Sequence, residues 1–407
     1  MSPSSGSRRS IRGRQALAVL ATVGVISGGI AIGTRPSAPP AGGANTAHIW
    51  VDTSGGTCTR SGSQVVYNDG AACANPVAAW LASSSGDIIR VKAKSGGYTL
   101  PSSPNQGHFT GDKTSDTKII GDEAGVIINT TGAGEFEVEG NHFWLENVTL
   151  DSSTANGWSA RIGAPVGQGD NPTDDATFKN VNVKGDFFGL QITGDRFEWD
   201  CCTFGEEGVA GLRCTGDNEP VQLDDGTGHR IANIVFWPQG GSNNPCGGDG
   251  FHEEDIRVQT DNTTIENVDF KDGNAVNRNA GSGKIFLSGT VNNLVLRNII
   301  FGRGEPSSNN HIDANVTSCS VTIAYSTYTD KGTNLAGCSV TNIHNIGPNA
   351  TGVSVTTGRL SASATTAIDQ GEASCSGTLG SAGSVDIDGQ TRPIGSACDK
   401  GADEYQP

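Results

Sequence analysis

A single Met, 6% aromatic residues and 17% charged residues leave little of the material from which charged, amphipathic helical enzymes are built. None of the ten cysteines stands in paired C-x-x-C spacing, which argues against a thiolate zinc site. Acidic residues are missing from the first 44 positions, where the charges are Arg8, Arg9, Arg12, Arg14 and Arg35. Beyond Ala16–Gly33 there is no second long apolar run, so no further membrane span is expected. What is abundant is Gly, at 58 residues, with Asn, Thr, Ser, Val and Ile. That mixture suits many short strands joined by turns.

The arginines followed by the Gly- and Ala-rich run Ala16–Gly33 read as the n-region and core of an export signal. The run is borderline in length for a retained anchor, and the small residues and following Pro-rich stretch favour cleavage. Ser7-Arg8-Arg9-Ser10-Ile11-Arg12 is similar to a twin-arginine signal, and the choice between general and twin-arginine export stays open. Residues 1–44 are therefore assigned to signal and linker, 45–350 to the main domain and 351–407 to a C-terminal cap or tail. Residues 45–407 keep all 43 acids and lose five of the 27 cations, a net charge of about −21. Such a chain repels nucleic acid and anionic membranes at long range, so neither is an expected partner, and a monomer is expected. In an exported chain an even cysteine count means disulfides. Cys58 and Cys73 bracket one loop, and Cys375 and Cys398 bracket the tail. Cys201, Cys202, Cys214 and Cys246 allow three pairings.

A segment of form apolar–x–Asn–apolar–x–apolar recurs around Asn147, Asn180, Asn233, Asn267 and Asn298, with Asp200 in the Asn place of a sixth copy. The copies follow one another at uneven intervals, one of them much shorter than the rest. Propeller blades need about 40–45 residues each, whereas a parallel β-helix accepts coils of uneven length. Alternating apolar side chains would fill the coil interior. Asn would mark a corner, where it tolerates left-handed backbone and hydrogen-bonds its twin in the next coil. Cys319-Ser-Val-Thr is repeated one short interval later as Cys338-Ser-Val-Thr, which stacks the two cysteines as a candidate disulfide. Ile49-Trp-Val-Asp52 reads as a strand and Asn75–Ala82 as a short capping helix with Pro in its first turn. The expected fold is all-β: a right-handed parallel β-helix with a short N-terminal capping helix.

The order of a helix, then Gly86-Asp-Ile-Ile-Arg-Val91 with Gly96-Gly-Tyr98, then Asn-Val and Asn-Ile coils resembles the opening of pectin-lyase-like parallel β-helix proteins. The segments Ala367–Gly371, Asp386–Pro393 and Asp399–Tyr405 resemble the tail of choice-of-anchor Q β-helix proteins, which are secreted or held at the bacterial surface. Because no anchor segment follows, the resemblance implies free secretion, and the tail itself reads as a cap.

The densest polar cluster is Asp249, His252, Glu253, Glu254, Asp255 and Arg257, after a Gly- and Asn-rich loop. Ile256 and Val258 should face inward, leaving Arg257 and Asp255 outside and His252 and Glu254 at the preceding corner. The spacing resembles a His-x-Asp-x-Ile-Gln segment that lines the outer groove of many β-helix proteins, with Glu254 in the Asp place and Arg257 in the Gln place. A β-helix polysaccharide lyase needs a base, a cation for the substrate carboxylate and an open groove. The catalytic candidates are His252, Glu254 and Arg257. Lys271, Arg278, Lys284 and His311 are the substrate-binding candidates. Asp249, Glu253 and Asp255 could hold Ca²⁺ through oxygen, and an acidic chain facing an acidic polysaccharide calls for such a cation. Acid-rich strands followed by basic residues loosely resemble chondroitinase-type and alginate lyases, although their Lys falls at Gln259 and the Arg-x-Pro-x-x-Arg of pectate lyases is absent. Asp224-Asp225-Gly226 beside His229 is similar to polygalacturonase elements but is crowded into one turn, and it reads as a turn. Trp158, Phe187, Phe188 and Trp237 lie near loops where they could stack on sugar rings. The leading expectation is an extracellular protein that binds, and as a lyase cleaves, an acidic polysaccharide. The rival is a non-catalytic adhesion or carbohydrate-binding module of the same fold.

Overall fold

The computed structural model describes residues 45–100, 108–130, 136–151, 158–163, 172–184, 188–205, 221–237, 254–271, 284–302, 310–354, 357–371, 390–392, 397–401, 403 and 405. Residues 1–44, where an export signal is expected, lie outside the described residues. Among the latter, no helix is long and apolar enough to cross a membrane.

Strands stack in parallel on three faces. On face A, Ile49–Val51, Ile88–Val91, Thr117–Gly121 and the first half of Phe143–Asp151 lead into Thr177–Lys184, Glu198–Phe204, Arg230–Phe236 and Thr264–Phe270. Each of those last strands bends once and continues as face B, where Leu150, Val183, Phe204 and Phe236 share one inward slot. Face C runs from His108–Phe109 through Phe136–Val138, Trp158–Ile162, Phe188–Ile192, Val221–Leu223 and Ile256–Val258. The long strands Ile285–Phe301 and Asn310–Ala324 contribute to the later coils on faces C and A, and the first of them also reaches face B.

The bend between faces A and B is where Asn was expected. Asn147, Asn180, Asn233, Asn267 and Asn298 all have φ between 54° and 59°, the left-handed region that Asn tolerates best after Gly. Their amides form a ladder: Asn180 donates to Asn147 at 2.7 Å, Asn267 to Asn233 at 2.5 Å and Asn298 to Asn267 at 2.7 Å. The sixth copy departs from the expectation. Cys201, at φ 64°, occupies the corner slot and Asp200 precedes it, in register with Lys179 and Ala232. Asp200 still supplies the rung from one residue away, because its carboxylate accepts the Asn233 amide at 2.5 Å. Of the three pairings left open, the structure has Cys201–Cys202; Cys214, Cys246 and Cys375 lie outside the described residues. Cys58–Cys73 and the stacked Cys319–Cys338 are disulfides, as the spacing suggested, and Cys398 is also disulfide-bonded.

A second left-handed column, which the sequence reading missed, precedes face A: His142, Asp175, Arg196, Gly228, Asn262 and Asn293 are in register and all have positive φ. Only two of the six are Asn, so no repeated letter marks them.

Inward slots carry the core. On face B, Phe204, Phe236, Phe270, Phe301 and Tyr328 stack ring on ring, with centroids 5.7, 5.0, 5.6 and 4.9 Å apart and planes within 25°. Offset stacking of this kind adds about 0.5–1.5 kcal/mol per pair beyond burial. The helix Pro76–Ala82 starts on Asn75, whose side chain accepts the Ala78 N–H at 2.9 Å, with Pro at the first turn. It buries Trp80 against Phe109 and Phe143, covering the first coils as a cap should.

Candidate functional site

Long connections leave face B and enter face C, and the candidate residues gather at that corner on successive coils. Face B ends in Lys271, and face C begins after Glu254 and Asp255, after Lys284 and after His311. His252, Glu253, Asp249 and Arg278 lie outside the described residues.

Register explains which groups meet. Ile256, Ile285 and Ile312 share one inward slot, so Asp255, Lys284 and His311, each one residue earlier, stack over one another. Asp255 was expected to face out. It is buried instead, because the Lys284 ammonium of the next coil sits 3.3 Å from its Oδ2 and neutralises it inside the wall. Asp255 Oδ1 is buried and accepts no hydrogen bond from the described residues. Glu254 is fully buried beside it. His311 is sealed against Phe301 and Tyr328, and its Nε2 lies 3.1 Å from Asp330 Oδ1. Burial pushes its pKa down, reinforced by Lys284 and Lys331 and only partly countered by Asp330, so the imidazole is neutral near pH 7. Asp330 gave no signal in the sequence, since it lies well beyond His311 along the chain and meets it only through the coil geometry.

Ile256 and Val258 are inward, as expected, and Arg257 is outward. Its column on the outer side of face C reads Glu137, Arg161, Gln191, Gln222, Arg257, Phe286, Asp313 and Asn334. Adjacent strands lie about 4.8 Å apart, so two guanidiniums and two amides form a row spanning four coils. The chain marks them only as the middle residue of scattered apolar–x–apolar triplets, which cannot be aligned without the register.

Lys271 is held at the end of face B. Its ammonium donates to buried Asp269 at 2.6 Å and lies 5.4 Å from the Trp237 ring, so Trp237 is already partnered. Arg359 of the tail approaches the same Asp269 at 3.8 Å. The other aromatic candidates, Trp158, Phe187 and Phe188, have side chains outside the described set. Asp224 is structural: Gln191 and Gln259 from the flanking coils both donate to its carboxylate, at 2.7 and 2.9 Å. Gly226 closes that turn at φ 91°, where a Cβ would stand 1.8 Å from the Gly194 carbonyl oxygen. His229 is buried as well, accepting the Phe197 N–H at 3.3 Å. The polygalacturonase-like cluster is thus a turn.

On face A the outward charges pair with one another. Arg230 bridges Glu198 at 2.5 Å and Glu266 at 2.7 Å, and Arg297 pairs with the other oxygen of Glu266.

The fold defined by these columns is a right-handed parallel β-helix. The crystal structure of pectate lyase Pel9A shares it, with a TM-score of 0.52 at 15% identity over 88% of this chain and 96% of that one. At that identity the likeness establishes the fold alone. No protein-family model and no curated protein matches the chain.

Proposed function

We propose that this is a secreted carbohydrate-active β-helix protein whose face C and adjoining corner bind, and cleave by elimination, an acidic polysaccharide. The observation that carries the reading is the outward row Arg161–Gln191–Gln222–Arg257 beside the buried group Glu254, Asp255, Lys284 and His311. A row of cations and amides along a stack offers a chain of uronates both charge pairing and hydroxyl recognition. The pectate lyase neighbour supports a polysaccharide substrate, and the disulfides support an oxidising, extracellular setting. The tail's resemblance to choice-of-anchor proteins adds a link to the cell surface.

In the elimination, Arg257 neutralises the uronate carboxylate. His252 takes the proton from the neighbouring carbon, since Glu254 is fully buried and lies behind the surface of the groove. The electron pair left behind forms the new double bond, the glycosidic C–O bond breaks, the departing oxygen takes a proton from water, and the base returns its own proton to the solvent. Asp255 Oδ1, buried and without a hydrogen bond from the described residues, is an oxygen able to ligate Ca²⁺ together with Asp249 and Glu253. Ca²⁺ bound there would supply positive charge to the substrate carboxylate.

A non-catalytic adhesion module is favoured by one fact: Asp255 is neutralised by Lys284, which a purely structural ion pair would also explain. Incubation with a panel of polyuronates, with and without Ca²⁺, decides between them. New ultraviolet absorbance from unsaturated sugar ends, lost in Arg257→Ala, is the expected result. Binding to the same polymers without any absorbance change would replace the lyase by the binding module.

A further inference from the structure

The outer side of face C is not uniformly cationic around Arg257. Its central column passes from Gln222 through Arg257 and Phe286 to Asp313, one coil at a time. Asp224 follows Gln222 by two residues. The backbone ladder carries on through it, with its N–H on the Ile192 carbonyl at 3.0 Å, so alternation sets it on the same outer side as Gln222. Adjacent coils are about 4.8 Å apart, close to the length of one sugar in a chain. Arg257 therefore stands between one acid on the coil before it and another two coils after it.

Two facts separate this stretch from an ordinary solvated wall. Gln222 is only 9% exposed, and its amide has no hydrogen-bond partner among the described residues, yet neither its oxygen nor its nitrogen is sealed from solvent. A half-desolvated amide is costly unless something satisfies it, and an apolar side chain would fill the same place without that cost. Second, the two acids keep their charge. Asp224 is held by neutral amides alone, Gln191 at 2.7 Å and Gln259 at 2.9 Å, and Asp313 accepts the Asn310 amide at 3.0 Å. Among the described residues neither has a Lys or Arg in ion-pair reach, whereas Asp255 is neutralised by Lys284. A carboxylate oriented in this way accepts hydroxyls and repels a second carboxylate.

We propose that face C reads an acidic heteropolysaccharide, in which the uronate held at Arg257 is flanked by neutral sugars, rather than an unbroken run of uronates. This narrows the substrate of the side-face reading above, on which it rests. Arg257 takes the uronate carboxylate. The sugar over the preceding coil is neutral: Asp224 accepts its hydroxyls, and Gln222 both donates to it and accepts from it. The sugar over the following coil meets outward, half-buried Phe286, whose ring offers a charge no partner. A carboxylate on either neighbour would be carried towards Asp224 or Asp313.

The test is calorimetric titration of the full chain with oligosaccharides at equal uronate concentration. Those from hyaluronate and deacylated gellan place glucuronate between neutral sugars, and those from polyglucuronate carry an acid on every sugar. At least one of the two heteropolymers is expected to bind about tenfold more tightly than polyglucuronate. Asp224→Asn should raise polyglucuronate affinity about tenfold. It should also leave the melting temperature in place, because Gln259 can turn its carbonyl to the new amide. Asp313→Asn is the parallel change on the far side of Arg257. Gln222→Leu should weaken heteropolymer binding about tenfold without lowering the melting temperature, since the amide it removes has no partner in the free protein. Polyglucuronate bound as tightly as both heteropolymers, with binding lost in Arg257→Ala, keeps the side face as the site and overturns the heteropolymer inference. A preference unchanged in all three of Asp224→Asn, Asp313→Asn and Gln222→Leu overturns it too. No binding of any of these polymers, or binding indifferent to Arg257→Ala, overturns the side-face reading itself and this inference with it.

Discussion

Two coils of this molecule use the same three inward slots differently. In the middle of the stack the slots hold Leu296, Ile285 and Phe270; at the end they hold Asn342, Thr333 and Tyr328. The backbone pairing continues through both, so the parallel ladder does not depend on an apolar interior in every coil. The middle slots provide stability through burial and ring stacking. At the end Tyr328 keeps its burial and its stacking on Phe301, while the Thr333 and Asn342 slots give up that gain and place polar groups around a pocket.

The contrast is broken most forcefully in the middle. Phe236 is fully buried between the rings of Phe204 and Phe270. Phe236→Ala should cost about 3–5 kcal/mol in urea or thermal unfolding, against no loss for Tyr328→Phe at the end. Comparable losses at both positions would show that the end coil belongs to the same cooperative core.

A smaller effect is expected at the corner. Asn267→Ala removes a rung of the amide ladder and places Ala at φ 54°, at a cost of about 1–2 kcal/mol. Asn267→Gly relieves the backbone term and should lose less. If both substitutions cost the same, the ladder rather than the left-handed backbone governs the corner.

The smallest effect is on pH dependence. Burial lowers the pKa of both His229 and His311 in the folded chain. The unfolded chain takes up protons on these residues below about pH 6.5, and the folded chain resists doing so. Their contribution to stability is therefore complete above that pH and is lost as the pH falls below it. The melting temperature should decline as the pH is lowered from neutral through that value, and His229→Asn should flatten the decline. Asn keeps an acceptor for the Phe197 N–H. An unchanged slope would mean that the buried imidazoles are not what the acid limb reports.

Much of the architecture could be read along the chain because it repeats a local rule. Asn at a left-handed bend, flanked by alternating apolar residues, needs only a few consecutive positions to be recognised, and five such Asn residues now stand in one column. The candidate site was less legible. Arg257 was placed outward correctly, since alternation with Ile256 and Val258 settles it. Asp255 was expected outside, because nothing near it in the chain announces that Lys284 arrives one coil later to pair with it.

The amino-acid sequence by itself determined the fold class, the A–B corner and the stacking of Cys319 on Cys338, since these follow from local backbone preference and a repeated period. Only the tertiary structure decided that Cys201 rather than Asp200 fills the corner. It alone brought Asp330 to His311 and set exposed Thr333 and Asn342 in register with the inward Ile312 and Ile323. Those outcomes rest on strand register between stretches far apart in the chain, where one step reassigns every side chain to the opposite face of the wall.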